Sequence, residues 1–394
     1  MTTSRPAHEE QNIGYVTAVL DISRLQVAKK RLAGGDKTLS PALDALRREA
    51  DEWCVKGPYT VTDKTFTPSS GDKHDYVSLG LYWWPDPASK DGLPYIRRDG
   101  EVNPEGVGEA FDRVRMEAMT IGVETLALAW YLTGEEKYSH RAALYITTWF
   151  LDPATRMNPH LRFGQAIPGR CEGRGIGLID TRRLIGVINA LAMLEDSSVL
   201  TPAQRREMNV WFKNFLRWMR ESPYGIDESK QHNNHGTWYD VQAACFALFA
   251  GEPEFARSVL ETAIEKRLAT QIAADGSQPY ELARTRTFNY SLMNLGAFLA
   301  LAELGRRVGV DFWAYERAGG GSLLRSAIDF LAPYADSAKP WPYPQITPLN
   351  RVDIFPYLQQ GRAFTGDIRY EELSQKLPQQ EGQAHRANLL WPVP

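Results

Sequence analysis

Residues 124–146 read ETLALAWYLTGEEKYSHRAALYI. The first nine are apolar almost all round, so a helix made from them has no face to offer water and belongs inside a larger helical body. Gly134 interrupts the run, and beyond it apolar side chains recur only at i, i+3, i+4 spacing, the pattern of a helix buried on one side. So short a gap turns the chain back on itself, giving an antiparallel hairpin with an inner and an outer member. The signature returns at Gly251, where QAACFALFA precedes a second one-sided helix.

Extending the period count in both directions predicts helices over 12–33, 41–55, 105–132, 136–151, 176–195, 202–221, 236–250, 253–272, 287–307 and 321–334, with few alternating runs. Thr201-Pro202 opens one of them with an N-cap and a proline at the first helical position. Four successive hairpins, each with one member inside, predict an all-α fold: an α/α toroid, or incomplete α/α barrel, forming a single domain over 1–394. No sequence motif recurs at a fixed period, so the repetition is structural. The segment 335–394, with WPYPQITP and a final WPVP, reads as an irregular extension packed on the toroid.

The composition, 43% hydrophobic and 24% charged over 394 residues, excludes disorder and fibrous folds. A formal net charge of -3 excludes a nucleic-acid binder working through a global positive field, and no run approaches the length of a membrane span. Neither nucleic acid nor membrane is therefore expected as a partner. The start, MTTSRPAHEEQ, lacks an apolar signal region, so the chain as written reads as cytoplasmic, or as periplasmic or secreted if a leader was removed. Cys54, Cys171 and Cys245 are scattered and read as free thiols. The basic residues are biased, with 32 Arg against 13 Lys, and the planar arginine fork suits carboxylates and phosphates.

The long connections between helices are where function is expected. Residues 57–104 form a long loop rich in Gly, Pro, Asp and aromatics; its Tyr82, Trp83 and Trp84 either stack on sugar rings or anchor the loop to the body. Residues 153–175 open a strongly basic stretch. From Arg156 to Arg183 there are six arginines (156, 162, 170, 174, 182 and 183) against Glu172 and Asp180, a local net of +4. Arg182 and Arg183 read as the solvated face of the following helix, whereas Arg170 and Arg174 flank a glycine-rich turn where backbone can approach a ligand, near Gln165.

His232-Asn233-Asn234-His235-Gly236-Thr237-Trp238-Tyr239 crowds polar and aromatic groups at a helix start. One asparagine is explained as a cap, but the whole cluster points to a polar site at a helix N-terminus. Two histidines at i, i+3 lack a third ligand of suitable spacing, and no HExxH occurs, so neither a metal nor another cofactor is expected. A further break supplies Tyr280, Glu281, Arg284, Arg286 and Tyr290. Arg286 and Tyr290 are i, i+4, with Arg284 in the approach to the helix; the plainer alternative is surface ion pairs and a core-capping tyrosine.

The stretches YWWPDP, GLPYIRRDG, QAIPGRCEGRGIGLIDT, NNHGTWYDVQ and ELARTRTFNYSLMNL resemble the alginate lyase superfamily, most closely polysaccharide lyase family thirty-eight and more distantly family five, over roughly residues 60–300. The resemblance implies cleavage of 1,4-linked uronic acid polymers by β-elimination in an α/α toroid, leaving 4,5-unsaturated ends. It places the catalytic group on Asn234, His235, Arg284 and Tyr290. Glu281 and Tyr290 lie nine residues apart, one fewer than the family-five pattern, which leaves Arg284 and Arg286 both open as the functional arginine. Substrate contacts are expected from Tyr82, Trp83, Trp84, Gln165, Arg170, Arg174, Asn233, Trp238, Tyr239, Tyr280 and Arg286. Positive neighbours are expected to favour the Tyr290 phenolate and make it a base, with His235 as the alternative base. The implied substrate is alginate; glucuronan is a close alternative. A glycoside hydrolase using Asp180, Asp240 or Glu281, and a non-catalytic carbohydrate-binding protein, are the rival classes.

Overall fold

A computed structural model describes residues 19–317 and 320–392 of the chain. The part of the predicted first helix before residue 19 lies outside the described residues. The helices are α1 (Ile22–Ala33), α2 (Ser40–Val55), α3 (Arg113–Thr133), α4 (Glu136–Ile146), α5 (Leu184–Met193), α6 (Pro202–Glu221), α7 (Pro223–Ser229), α8 (Asn234–Phe249), α9 (Pro253–Ala263), α10 (Ala269–Gln271), α11 (Pro279–Leu282), α12 (Thr287–Val308) and α13 (Leu323–Leu331). A π-helical turn, Thr147–Leu151, extends α4; another, Ile264–Leu268, joins α9 to α10.

The layering follows the hydrophobic pattern. All ten residues of α5 are buried, and α3, α8 and α12 are buried on most of their surface, so these four form an inner layer. By contrast α6 buries only the stripe Met208, Trp211, Phe212, Phe215, Leu216 and Met219, the i, i+3, i+4 signature of an outer helix. Pairing is local: α3 packs on α2, α4 and α5, and α8 packs on α6, α9 and α12. Gly134 and Gly251 have φ of 73° and 77°, a left-handed turn that costs a glycine little and reverses the chain between the members of a hairpin. The result is the predicted α/α toroid. Among the described residues no helix is long and apolar enough to cross a membrane.

Two departures from the sequence reading concern the connections. The long loop carries short strands: β1 (Val77–Leu79), β2 (Trp83–Trp84) and β3 (Ile96–Arg97), where β2 and β3 form an antiparallel hairpin. β1 pairs in parallel with β4 (Phe163–Ala166), over a small second core of Val77, Leu79, Phe111 and Phe163. The segment 335–394, expected to be irregular, instead carries α14 (Phe355–Thr365), α15 (Arg369–Ser374), α16 (Gln379–Ala384) and α17 (Ala387–Leu390). It packs on α1, α2 and α13, closing the ring. Most of these helices are too short to show a period, and the buried stripe of α14 includes Gln359 and Gly361, which a hydrophobic pattern does not register. Val393 and Pro394 of the final WPVP lie outside the described residues.

Candidate active site

The start of α8 sets the first half of the site. Asn233 is the N-cap, its side chain accepting the His235 backbone N–H at 3.2 Å, which fixes the first turn so that Asn234 and His235 come off it side by side. Buried Glu281 grips Asn234 twice, Oε1 accepting its backbone N–H at 2.7 Å and Oε2 its side-chain amide at 2.8 Å. Buried Glu228 lies 2.9 Å from Nδ1 of His235, leaving Nε2 as the free ring nitrogen. Burial pushes both carboxyl groups above the usual carboxylate range, against the opposing pull of His235 on Glu228 and of the Asn234 donors on Glu281. Gly236 is required where it stands: an added Cβ would collide with the Gln231 carbonyl and the Arg267 guanidinium.

The second half comes from the approach to α12 and the β2–β3 hairpin. Arg284 precedes the helix and its guanidinium lies 4.1 Å from the Tyr290 ring centre. Asp99, after β3, accepts from Arg284 Nη2 at 2.9 Å and Nε at 3.2 Å. Burial opposes a charge on Asp99, but Arg284 and Arg97 outweigh it and hold the carboxyl down to about 2. The Tyr290 hydroxyl donates to that of Tyr82 at 2.6 Å. Burial, reinforced by Tyr82 and only partly opposed by Arg284, pushes the Tyr290 phenol well above its ordinary range. The expectation of a favoured phenolate is therefore corrected: the desolvation of the ring outweighs its cationic neighbour, and the resting group is a protonated donor.

Asn233, Asn234, His235, Arg284, Tyr290 and Tyr82 face one cleft of about 340 Å³, walled also by Leu81, Trp83, Ile176, Ile179, Gln231 and Met293, while the carboxylates that hold them stay behind it. Five arginines line it (Arg97, Arg113, Arg174, Arg182 and Arg284), and among the described lining residues there is no carboxylate. Gln165 joins the wall in a left-handed conformation, φ 51°, uncommon for a side-chain-bearing residue. Ser78 Oγ accepts its backbone N–H at 2.8 Å, Asp180 its side-chain amide at 2.9 Å, and its Oε1 accepts from Arg174 Nη2 at 2.9 Å. These bonds hold the unfavourable backbone and aim the amide.

Of the residues singled out in the sequence, Asn233, Asn234, His235, Arg284, Tyr290, Tyr82, Trp83, Gln165 and Arg174 meet in this cleft. The others lie elsewhere. Trp84 donates its indole N–H to the Glu101 carbonyl at 3.0 Å, Arg170 is exposed and bonds the Tyr95 carbonyl, and Tyr280 is 48% exposed outside the cleft. Tyr239 is buried with its hydroxyl on the Met219 carbonyl, and Trp238 bonds the Met293 carbonyl. Arg286 points into a different space, behind the cleft. Arg182 corrects its assignment to a solvated face: it is half-buried on the cleft wall, because the Gly175–Arg183 segment is a 3₁₀ helix whose turns do not follow the α period. Arg183 is exposed and paired with Glu117, as expected.

Sequence reasoning did not single out Arg97, Arg113, Glu228 or Asp99. Arg97 and Asp99 stand within GLPYIRRDG, and a hairpin reading of that stretch would have found them. Glu228 carries no local signal, since it acts across a helix boundary.

A family model described as alginate lyase matches residues 60–341. No curated protein matches the chain significantly. Among solved structures the chain is similar to an alginate lyase from Bacteroides ovatus, at 38% identity and a TM-score of 0.89, covering 96% of this chain and 100% of that one. It shares its fold with alginate lyase A1-III from Sphingomonas species A1, at 19% identity and a TM-score of 0.59, covering 98% and 100%. A histidine-to-alanine variant of alginate lyase A1-III complexed with a tetrasaccharide matches at 19% identity and a TM-score of 0.60, covering 96% of each chain.

Proposed function

The chain belongs to the alginate lyase family of polysaccharide lyases, and from there we propose that it cleaves alginate, including its mannuronate-containing stretches, by β-elimination at the Asn234–His235–Arg284–Tyr290 cleft. The observation that carries this reading is the cleft wall, which presents five arginines and no carboxylate. Such a wall attracts a polyanion and lacks the paired acids a glycosidase needs. The three carboxylates from which a hydrolase could draw its pair are each engaged by other groups. Asp180 pairs with Arg113 at 2.6 Å and accepts from Ser78 and Gln165, Asp240 pairs with Arg267 at 2.7 Å, and Glu281 holds Asn234.

The C5 proton of a uronate is a weak acid because its loss adds negative charge beside a carboxylate already charged. Arg284 and the amide hydrogen of Asn234 not taken by Glu281 can answer that charge as it spreads into the carboxylate. One positioned donor is worth roughly 3–4 kcal/mol and a positioned acid or base about 10²–10⁴ in rate, against a typical requirement of about 8–23 kcal/mol. The whole cluster is therefore needed. His235, with Nδ1 held by Glu228, has Nε2 free to take the C5 proton. Tyr290, kept protonated by burial, delivers a proton to the departing O4 oxygen. The products carry a C4=C5 double bond.

A second division of labour has its own support. Arg284 at 4.1 Å from the ring can steady a phenolate, and the 2.6 Å bond to Tyr82 gives the phenol proton a way out. On mannuronate, where both groups leave from one face, Tyr290 that has first released its proton through Tyr82 can therefore take the C5 proton and pass it to O4.

The test is growth of ultraviolet absorbance from the new double bond on mannuronate-rich, guluronate-rich and glucuronan substrates. Tyr290→Phe is expected to abolish it with the fold intact, and full activity in that variant would sink the mechanism. His235→Gln separates the two divisions: loss on every substrate supports His235 as the base, and activity retained on mannuronate alone assigns both steps to Tyr290. Fastest cleavage of glucuronan would move the substrate assignment there.

A further inference from the structure

Behind the cleft lies a larger chamber of about 1020 Å³, running along the inside of the ring. Arg182 and Met293 line both spaces, so the two adjoin there with these side chains between them. From there Asn289, Leu292, Gly296 and Ala300 line the chamber along one face of α12, about 16 Å of helix. The far wall comes from the C-terminal segment, which contributes Tyr357 and Trp391 from beyond residue 341, where the family match ends.

Several interior arginines of this protein have acidic partners: Arg113 with Asp180 at 2.6 Å, Arg267 with Asp240 at 2.7 Å, Arg24 with Glu303 at 2.8 Å and Arg284 with Asp99 at 2.9 Å; Arg174 instead bonds Gln165. Arg182 and Arg286 have no carboxylate within ion-pair distance among the described residues. Arg182 donates to the Ile179 carbonyl at 3.0 Å, and burial, aided by Arg183, brings its guanidinium down to about 10. The Nε–H of Arg286 is buried with no partner. Leaving cations desolvated and unpaired is costly, and an anionic ligand removes that cost. The chamber's acids do not supply the missing charge. Glu124 accepts from the Asn189 amide at 3.5 Å, and Asp353, whose carboxyl burial pushes up towards neutrality, accepts from Asn350 at 2.7 Å. Trp238, Tyr357 and Trp391 add aromatic surface of the kind that packs against pyranose rings.

We infer that this chamber is a second binding site for carboxylate-bearing sugar units, held by Arg182 and Arg286, and that it receives the continuation of the chain whose linkage is cleaved at Tyr290. The inference rests on the lyase reading and adds a prediction about chain length. The cleft alone is near the lower end of the roughly 300–1,000 Å³ usual for ligand sites, and the chamber fills the upper end. Longer oligouronates therefore reach arginines and aromatic rings that short ones do not.

The test compares kcat/KM for a uronate octamer with that for the shortest oligomer cleaved, in the parent, Arg286→Gln and Arg182→Gln, with folding checked by circular dichroism. Removing one charge-assisted hydrogen bond to the long substrate should shrink the octamer-to-short ratio on the order of tenfold in Arg286→Gln. Titration of the octamer into Tyr290→Phe with and without Arg286→Gln, followed by tryptophan fluorescence, should show affinity falling by the same factor. An unchanged ratio and unchanged affinity overturn the chamber while leaving the lyase reading standing. Relief of inhibition by the free unsaturated disaccharide, with the length ratio unchanged, would make the chamber a product site and overturn the threading of the chain. A parent that neither cleaves nor binds any uronate polymer removes both readings.

Discussion

Glu281 closes on Asn234 from two directions, one oxygen taking the backbone N–H at 2.7 Å and the other the side-chain amide at 2.8 Å, across 47 residues of sequence. The carboxylate thereby fixes an amide that faces the cleft while staying out of the cleft itself.

Glu281→Gln places an amide against the Asn234 amide, so one of the two bonds is lost and Asn234 is free to swing. A misplacement of about 1 Å costs on the order of 10²-fold. We expect kcat to fall by about that factor while the remaining product still carries its double bond. Steady-state kinetics on alginate checks this, and an unaltered kcat would show that Asn234 needs no such support.

Glu228 and His235 form the parallel pair, at 2.9 Å. Glu228→Gln retains a hydrogen-bonding side chain of the same shape, whereas Glu228→Leu leaves Nδ1 of His235 facing an apolar group. The expected order of kcat is parent, then Gln, then Leu, with KM moving less than kcat. Equal activity in the Gln and Leu variants would remove the orienting role.

Tyr82→Phe takes away the acceptor of the Tyr290 hydroxyl. Burial remains the main cause of the high phenol value, but Tyr82 adds to it, so the phenol should move down towards its ordinary range. If Tyr290 donates a proton, its ionised form is inactive, and the alkaline limb of kcat should shift to lower pH. Rates followed from about pH 9 to the alkaline limit of the fold read this, since the parent's limb lies above the ordinary tyrosine value of about 10; a limb that stays or moves upward contradicts the donor role.

His385 gives the fold an acid sensitivity. Its Nδ1 accepts the Ala387 N–H at 3.1 Å, and burial, with Arg386 adding repulsion, holds the imidazole down to about 4 from 6.5. The unfolded chain binds the proton more readily than the native one. The contribution is therefore complete above the unfolded value, near 6.5, and is lost as pH falls through about 4. It amounts to at most about 3 kcal/mol. Thermal melts from pH 7 to 4 should show a shallower decline in His385→Gln than in the parent; the same decline in both would exclude His385 as its source.

The fold was legible because its inner helices advertise themselves: ETLALAWYL and QAACFALFA have no polar side, and glycines mark the hairpin turns. The Asn233 cap and the positions of Arg284 and Tyr290 were legible for the same reason, being set by the starts of α8 and α12. What stayed hidden depends on partners distant in the chain. Asp99 gains its role only beside Arg284, 185 residues away, and the state of Tyr290 turns on how deeply its ring is buried, which a reading weighted towards its cationic neighbour misjudged. Of the six arginines in the basic stretch only Arg174 and Arg182 reach the cleft; Arg97, Arg113 and Arg284 arrive from other segments.

The bonds that complete the reactive centre, Tyr82 to Tyr290 and Asp99 to Arg284, span 208 and 185 residues. Helical hairpins assemble from neighbours and form early, whereas pairings of such sequence separation bear the entropy of closing about half of the chain first. During refolding, helical signal should therefore return before turnover does. Catalysis then reports on the last parts of the ring to join, and a chain with its hairpins in place but its loop undocked would be well folded by spectroscopy and silent as an enzyme.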